Sequence, residues 1–124
     1  MEPTTDDLFK VMSKQIAENG SKMVKKVGAS FRFVVGEGGC WVVDLRQGEG
    51  SVTKDDHDSK VDATVEISEE DFLLTCLGRL RPQEAFMTGR MKVKGNMMLA
   101  MKLNPLIRVM RPKKEMHEAP ISRL

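Results

Sequence analysis

The stretch SFRFVVGEGGCWVVDL, residues 30–45, decides the fold, because two runs of alternating apolar and polar side chains flank a glycine-rich turn. The first run places Phe33 and Val35 on one face, and the second run places Trp41 and Val43 on one face. A period of two is typical of strands with one buried face. The stretch therefore predicts a β-hairpin joined by GEGG.

Three further strands extend this hairpin on its C-terminal side. Residues 51–54 follow a second glycine-rich turn and form a short strand. Residues 61–67 alternate strictly between apolar and polar side chains, and residues 91–94 pair methionine and valine with lysines. The pattern predicts five strands, each with one apolar face.

Helical periodicity occupies the rest of the chain. Gly20 and Pro105 are expected to end the first and last helices, because glycine favours helix ends and proline interrupts a helix. Helices that do not alternate regularly with strands predict an α+β fold with helices packed on one face of the sheet. The predicted helices cover residues 5–19, 69–77, 82–86 and 97–104, and residues 21–27 are compatible with a further short helical turn.

Composition excludes several classes of protein. The chain has 124 residues, of which 31% are charged and 40% apolar, as in one globular domain. No apolar run reaches the roughly 20 residues that span a bilayer. The start, MEPTTDD, lacks the apolar core of a secretory signal. Two cysteines without metal spacing favour reduced thiols inside the cell.

The residues that might carry chemistry favour no enzyme. His57 and His117 lie in polar segments, and the acidic loop 55–58 lacks the glycine and glutamate of a calcium loop. Cys76 falls on the apolar face of its helix, where a thiol is expected to be inert. The basic residues within 79–94 indicate an exposed basic face, not a nucleic-acid site. We therefore expect no catalytic residue, metal or cofactor.

Methionine is over-represented, with ten in the chain and seven of them from Met87 onward. This flexible side chain suits apolar surfaces that adapt to varied partners. Two interpretations fit the apolar residues: an ordinary core, or an incomplete core completed by a long apolar ligand. Under the second interpretation, trimming Met98 or Met101 alters lipid affinity more than stability.

The chain resembles the sterol carrier protein type 2 family of intracellular lipid-transfer domains over residues 5–107. The matching segments are KKVGASFRF (25–33), WVVDLRQGEGSV (41–52), VDATVEIS (61–68), LRPQEAFMTGRMKVKGN (80–96) and MMLAMKL (97–103). Two features depart from many relatives: the loop between Val35 and Trp41 is short, and Thr88-Gly89 stands where Gln-Gly is common.

The resemblance implies a five-stranded sheet with helices on one face, enclosing a hydrophobic tunnel for fatty acids, fatty acyl-CoAs or sterols. It implies a non-enzymatic carrier that transfers lipid between membranes or enzymes. The alternative is an interaction module that presents lipid to a peroxisomal enzyme. The expected ligand-binding residues are Phe33, Val35, Trp41, Val43, Val65, Phe72, Leu73, Cys76, Leu77, Phe86, Met91, Met98, Met101, Leu103, Leu106 and Ile107.

The C-terminal tripeptide Ser122-Arg123-Leu124 resembles the Ser-Lys-Leu address of peroxisomal proteins. It predicts a peroxisomal or cytoplasmic protein that the import receptor recognises. We expect a domain over residues 1–110 and a loose basic tail over 111–124. Transient membrane contact is a further expectation, and nucleic acid is not an expected partner.

Overall fold

The computed structural model describes residues 4–37, 39–55 and 57–108. The expected targeting tripeptide and tail, and His117, lie outside these residues. The elements follow one another as α1 (Thr5–Val27), β1 (Ser30–Val35), β2 (Cys40–Asp44), β3 (Ser51–Lys54), β4 (Ala63–Ile67), α2 (Glu69–Cys76), α3 (Pro82–Met87), β5 (Met91–Gly95), a 3₁₀ helix (Met97–Lys102) and α4 (Leu103–Arg108).

The five strands form one sheet in the order β3-β2-β1-β4-β5. The predicted hairpin is confirmed: β1 and β2 pair antiparallel, and Phe33 lies opposite Trp41. β1 and β4 pair in parallel, with Phe33 opposite Val65, while β5 pairs antiparallel to β4. The α+β class with helices packed on a five-stranded sheet is thereby confirmed.

The helical segments expected on the two sides of Gly20 form one helix with a kink between them, so Gly20 does not end the first helix. α1 begins at the cap residue Thr4 and continues to Val27, with a kink at Asn19 where φ is −133°. A Cβ added to Gly20 would lie 1.8 Å from the carbonyl oxygen of Glu49. Gly20 therefore lets the β2–β3 turn approach the helix backbone, a role that no local sequence pattern reveals.

The prediction of one helix over 97–104 ended by Pro105 is also wrong. Residues 97–102 form a 3₁₀ helix, and α4 begins at Leu103 with Pro105 as its third residue. The first turn of a helix tolerates proline, because its amide groups have no partner within the helix.

The core lies between the inward face of the sheet and the helices. The inward side chains of β1 are Phe31, Phe33 and Val35, and none of the three has exposed surface. α1 contributes its apolar stripe, in which Phe9 is 2% and Met12 is 0% exposed. The sheet thus presents one continuous apolar surface to the helices, and the candidate site forms there.

Candidate functional site

An aromatic stack occupies the centre of the apolar interior. The ring of Phe9 stacks on Trp41 with centroids 4.4 Å apart and planes 8° apart. Its other neighbour is Phe72, at 5.4 Å and 9°. Phe33 packs at a tilt against both Phe9 and Phe72. Such offset or tilted pairs add to the stability that area burial gives.

The sequence places Phe9 in the apolar stripe of the first helix, but the predicted ligand-binding set does not include it. Its spacing from Met12 and Ile16 was the available signal, because steps of three and four put all three on one face. The structure confirms that face as buried: Phe9, Met12 and Ile16 all belong to the core cluster.

Most of the predicted ligand-binding residues line this interior. Those that are less than a tenth exposed are Phe33, Val35, Trp41, Val43, Val65, Phe72, Cys76, Met91, Leu103, Leu106 and Ile107. Three others, Leu73, Leu77 and Phe86, are half-buried, and of these Leu73 and Phe86 pack against the core. The structure thus brings residues of the predicted set together from four strands and from α2 and α4.

Met98 and Met101 differ from this pattern, since each is 79% exposed. The sequence placed them on one face of the helix predicted over 97–104 and among the ligand-binding residues. In the 3₁₀ helix, residues three apart lie one above the other, so Met98 and Met101 do share one face. That face points to solvent, while Leu99 and Ala100 turn towards the core. The two methionines therefore do not join the other expected residues in the interior.

One end of the interior reaches the surface in a cleft of about 140 Å³ between α2, α3 and α4. Cys76, Leu80 and Ile107 supply its apolar lining. Arg81 and Arg108 also line it, and both are exposed, so the mouth is cationic. A recess that combines apolar side chains with polar ones and has two arginines at its mouth suits a ligand with both an acyl chain and an anionic head.

The other end reaches the surface in a groove of about 190 Å³ that Phe9, Trp41 and Val52 help to line. Lys54 lies over this end: its Nζ is 5.4 Å from the centre of the Trp41 ring and 2.9 Å from the Asp6 carboxylate. The hydrogen bond to Asp6 raises the pKa of Lys54 above its ordinary value. The ammonium is therefore charged at neutral pH.

A continuous row of packed apolar side chains, which we call the apolar path, lies between the groove and the cleft. From the groove it passes through Trp41 and Phe9 to Phe72, along the ring stack. Phe72 and Cys76 are four residues apart and both buried on α2, so they lie on one face. Cys76 borders the cleft. Closely packed side chains fill this path in the structure.

α4 closes the interior beside the cleft. Leu103 and Leu106 have no exposed surface, and Ile107 is 4% exposed. α4 contacts α1 and α2, and the preceding 3₁₀ helix contacts α3 and β5. By contrast, no residue of the 3₁₀ helix is buried.

The remaining candidates for chemistry do not converge. Within residues 4–37, 39–55 and 57–108, no three His, Cys, Asp or Glu side chains are placed to hold a metal ion. His57 is exposed in its loop. No helix in the described part of the chain is long and apolar enough to span a membrane.

Several curated proteins are similar to this chain in sequence. Sterol carrier protein 2 of Rattus norvegicus is 44% identical over 104 residues, covering 80% of this chain and 19% of that protein. Non-specific lipid-transfer protein-like 1 of Caenorhabditis elegans is 36% identical over 107 residues, covering 83% and 89%. Peroxisomal multifunctional enzyme type 2 of Mus musculus is 35% identical over 105 residues, covering 82% and 14%. The chain thus spans about a fifth of the length of the rat relative.

Solved structures share the fold. Sterol carrier protein 2 from Yarrowia lipolytica, in its apo form, superposes with a TM-score of 0.71 at 26% identity, covering 83% of this chain and 88% of that one. The sterol carrier protein domain 2 of Helicoverpa armigera has a TM-score of 0.66 at 33% identity, covering 90% and 94%. The SCP-2 sterol transfer family model matches residues 9–108. The chain therefore belongs to the SCP-2 sterol transfer family of lipid-transfer domains.

Proposed function

We propose that this protein is a non-enzymatic intracellular carrier that holds one long-chain lipid between its sheet and helices. The ligand class is a fatty acid, a fatty acyl-CoA or a sterol, which the carrier transfers between membranes or enzymes. The observation that carries the proposal is the apolar path from the groove at Trp41 to the cleft at Cys76. Membership of a lipid-transfer family supports it.

Lipid entry requires a change at α4, because the cleft is small. Its volume of about 140 Å³ is below the roughly 300–1,000 Å³ of ligand pockets. The buried side chains Leu103, Leu106 and Ile107 hold α4 in place with roughly 5–9 kcal/mol of apolar burial. A chain of about sixteen carbons gains about 12 kcal/mol on leaving water. The free energy gained by a lipid that takes the place of these side chains therefore offsets the cost of exposing them to water.

The cationic mouth of the cleft assigns an orientation to the lipid. Arg81 and Arg108 meet the carboxylate of a fatty acid or the phosphates of coenzyme A, since guanidinium groups pair with both. The acyl chain then runs inwards past Cys76 towards Phe72. Met98 and Met101, which are exposed beside α4, contact the part of the lipid that projects from the cleft.

Trp41 provides the test, because it is the single tryptophan of the chain. We expect a fatty acid brominated near its methyl end to quench Trp41 fluorescence on binding, while one brominated beside the carboxylate quenches it less. Bromide ion at the same concentration is the control for quenching from solvent. Equal quenching by both fatty acids would contradict the orientation, and absence of any saturable binding would contradict the carrier function.

The natural ligand is identified by native mass spectrometry of protein purified from cells, followed by extraction of the lipid. A bound acyl lipid or sterol at one molecule per chain is the expected result. Protein that is always empty, and that displaces no fluorescent fatty acid from its complex, would refute the proposal.

A second function, presentation of lipid to a peroxisomal enzyme, is favoured by the likeness to a peroxisomal multifunctional enzyme. In that case a pull-down with the enzyme depends on exposed charges of the domain and persists after lipid is extracted. Transfer between vesicles without any enzyme favours the carrier function instead.

Peroxisomal location is proposed from the tripeptide Ser122-Arg123-Leu124, carried on a tail over residues 111–124 behind a domain over residues 1–110. The import receptor reads such an address as a free C-terminus. Deleting Leu124 is therefore expected to shift a fluorescently tagged protein from peroxisomes to the cytosol. An unchanged peroxisomal distribution would exclude this tripeptide as the address.

A further inference from the structure

The exposed apolar side chains of this protein are confined to one region. Among the described residues, every large apolar side chain classed as exposed is a methionine: Met87, Met97, Met98 and Met101. Their exposed fractions are 75%, 48%, 79% and 79%. Isolated exposed apolar residues are common, but four of one flexible type within fifteen positions of the chain indicate a contact surface.

The four methionines belong to elements that touch one another. Met87 is the last residue of α3, and α3 contacts the 3₁₀ helix that carries the other three. Met98 and Met101 are one 3₁₀ turn apart and so lie on the same side of that helix. We call these four side chains the methionine face.

The part of the chain that carries the methionine face is rich in positive charge. Residues 79–108 contain seven basic side chains and one acidic one, whereas residues 1–78 carry a net charge of −6. Lys92 and Lys94 alternate with buried residues and face the far side of the sheet, where Lys94 pairs with Glu66 at 3.0 Å. The exposed cations that remain are Arg79, Arg81, Arg90, Lys102 and Arg108.

We propose that the methionine face and these five cations form a docking surface for an anionic membrane. The thioether side chains enter the boundary between headgroups and acyl chains, and the cations pair with lipid phosphates and carboxylates. The charge complementarity selects this occupant: the surface is apolar and cationic, with Glu84 as the one acidic residue of the segment.

The purpose of the docking surface depends on the proposed function of lipid transfer. The surface borders the cleft and α4. Docking there brings the cationic mouth of the cleft against the headgroups from which a lipid leaves. The outer face of α1 lacks this combination: Lys10, Lys14 and Lys22 are exposed there, yet the helix has no large exposed apolar side chain.

Sedimentation with vesicles tests the proposal on the full chain. We expect binding to vesicles of phosphatidylcholine mixed with phosphatidylserine, and much weaker binding to pure phosphatidylcholine. The variant M98Q/M101Q should bind the anionic vesicles about tenfold more weakly, since two apolar contacts are lost. The variant R79Q/R90Q should lose about fivefold per charge and become less sensitive to salt.

A matched control removes two cations from α1, in the variant K14Q/K22Q. Its vesicle binding is expected to stay within about twofold of the unaltered protein, because long-range attraction is screened by salt. Loss of binding equal to that of R79Q/R90Q would overturn the proposal, since net charge alone would then account for attachment. Undiminished binding by M98Q/M101Q would overturn it as well.

The two proposals fail in different ways. R79Q/R90Q that no longer binds vesicles but still takes up a fluorescent fatty acid supports the docking surface. The unaltered protein and all variants could fail to bind a fatty acid while vesicle binding changes as expected. In that case the carrier function is refuted and the docking surface is supported. If the methionine face instead joins two copies, sedimentation velocity detects a dimer that M98Q/M101Q abolishes, and the membrane proposal is refuted.

Discussion

Replacing Leu106 with alanine tests whether α4 is the element that opens. α4 has six residues, and three of its side chains are buried. Their burial stabilises the docked helix by roughly 5–9 kcal/mol. Fixing the backbone of six residues costs about 6–12 kcal/mol. Because the two quantities nearly cancel, α4 is held weakly compared with the central strands.

The expected effect follows from the burial of Leu106, which has no exposed surface. Trimming a buried leucine to alanine costs about 2–5 kcal/mol. A loss of about 2 kcal/mol shifts the opening of α4 roughly 30-fold. If lipid enters through the opened form, the association rate of a fluorescent fatty acid measured by stopped flow rises by up to that factor.

Hydrogen exchange of the native protein separates local opening from global unfolding. In L106A the amides of α4 should lose protection from exchange. The protection of the amides of β1 and β4 should decrease only as much as the global stability does. The control L45A makes the same substitution at another fully buried leucine, directly after β2, which lines neither the cleft nor the groove. Equal acceleration of lipid uptake by L106A and L45A, or a uniform loss of protection in L106A, would refute α4 as the opening element.

Other predictions concern the helices that frame the site. G20A should lower the free energy of unfolding by about 1–3 kcal/mol in urea titrations, because its Cβ meets the Glu49 carbonyl; S21A, at an exposed neighbour, should stay within about 0.5 kcal/mol. T4A should cost about 1 kcal/mol, since the Thr4 hydroxyl accepts from the Asp7 amide. The Thr4 amide donates to the Asp7 carboxylate and lowers its pKa below the ordinary 3.8. The stability that this hydrogen bond gives is therefore present above pH 3.8 and is lost as the pH falls through the folded pKa. The free energy of unfolding of D7N, measured by urea titration at several pH values, should therefore decrease less steeply as the pH is lowered.

The sheet was predictable because its signals are local. Alternation through Phe31, Phe33 and Val35 specifies the buried face within six residues, and the glycine-rich loop joins the two strands of the hairpin. The same holds for β4, where Ala63, Val65 and Ile67 face inwards. A wrong register would move every one of these side chains into water, so the pattern leaves one solution.

The errors in the helices arise from contacts between distant parts of the chain. Asn19-Gly20 has the composition of a helix end, and α1 does kink at Asn19, while the nearby Glu49 backbone accounts for the glycine at position 20. Judged from its neighbours in sequence alone, Pro105 is likewise expected to end a helix. It lies inside α4 because the preceding six residues form a 3₁₀ helix and a new helix begins at Leu103.

The sequence indicated which residues of the candidate site are buried. It did not indicate which of these residues contact one another. Trp41 and Phe72 were expected to bind the ligand, but the ring that joins them belongs to Phe9 on α1. A pairing between positions 9, 41 and 72 depends on how α1 crosses the sheet. That crossing is set by long-range packing, on which hydrophobic periodicity within one helix carries no information.

Methionines occur both in the closed interior and on the surface of this protein. Met12 and Met91 are buried in the centre, while the four residues of the methionine face are exposed around the 3₁₀ helix. This helix starts at a fixed point, where the Asn96 amide donates to the Asp62 carbonyl at 3.0 Å. Anchoring by fully buried side chains resumes at Leu103, so α4 can leave the core while the strand before it stays paired. Three of the exposed methionines, Met97, Met98 and Met101, therefore lie on the segment between the paired strand β5 and α4, the helix that is proposed to open. Their flexible side chains suit contact with both water and an apolar ligand.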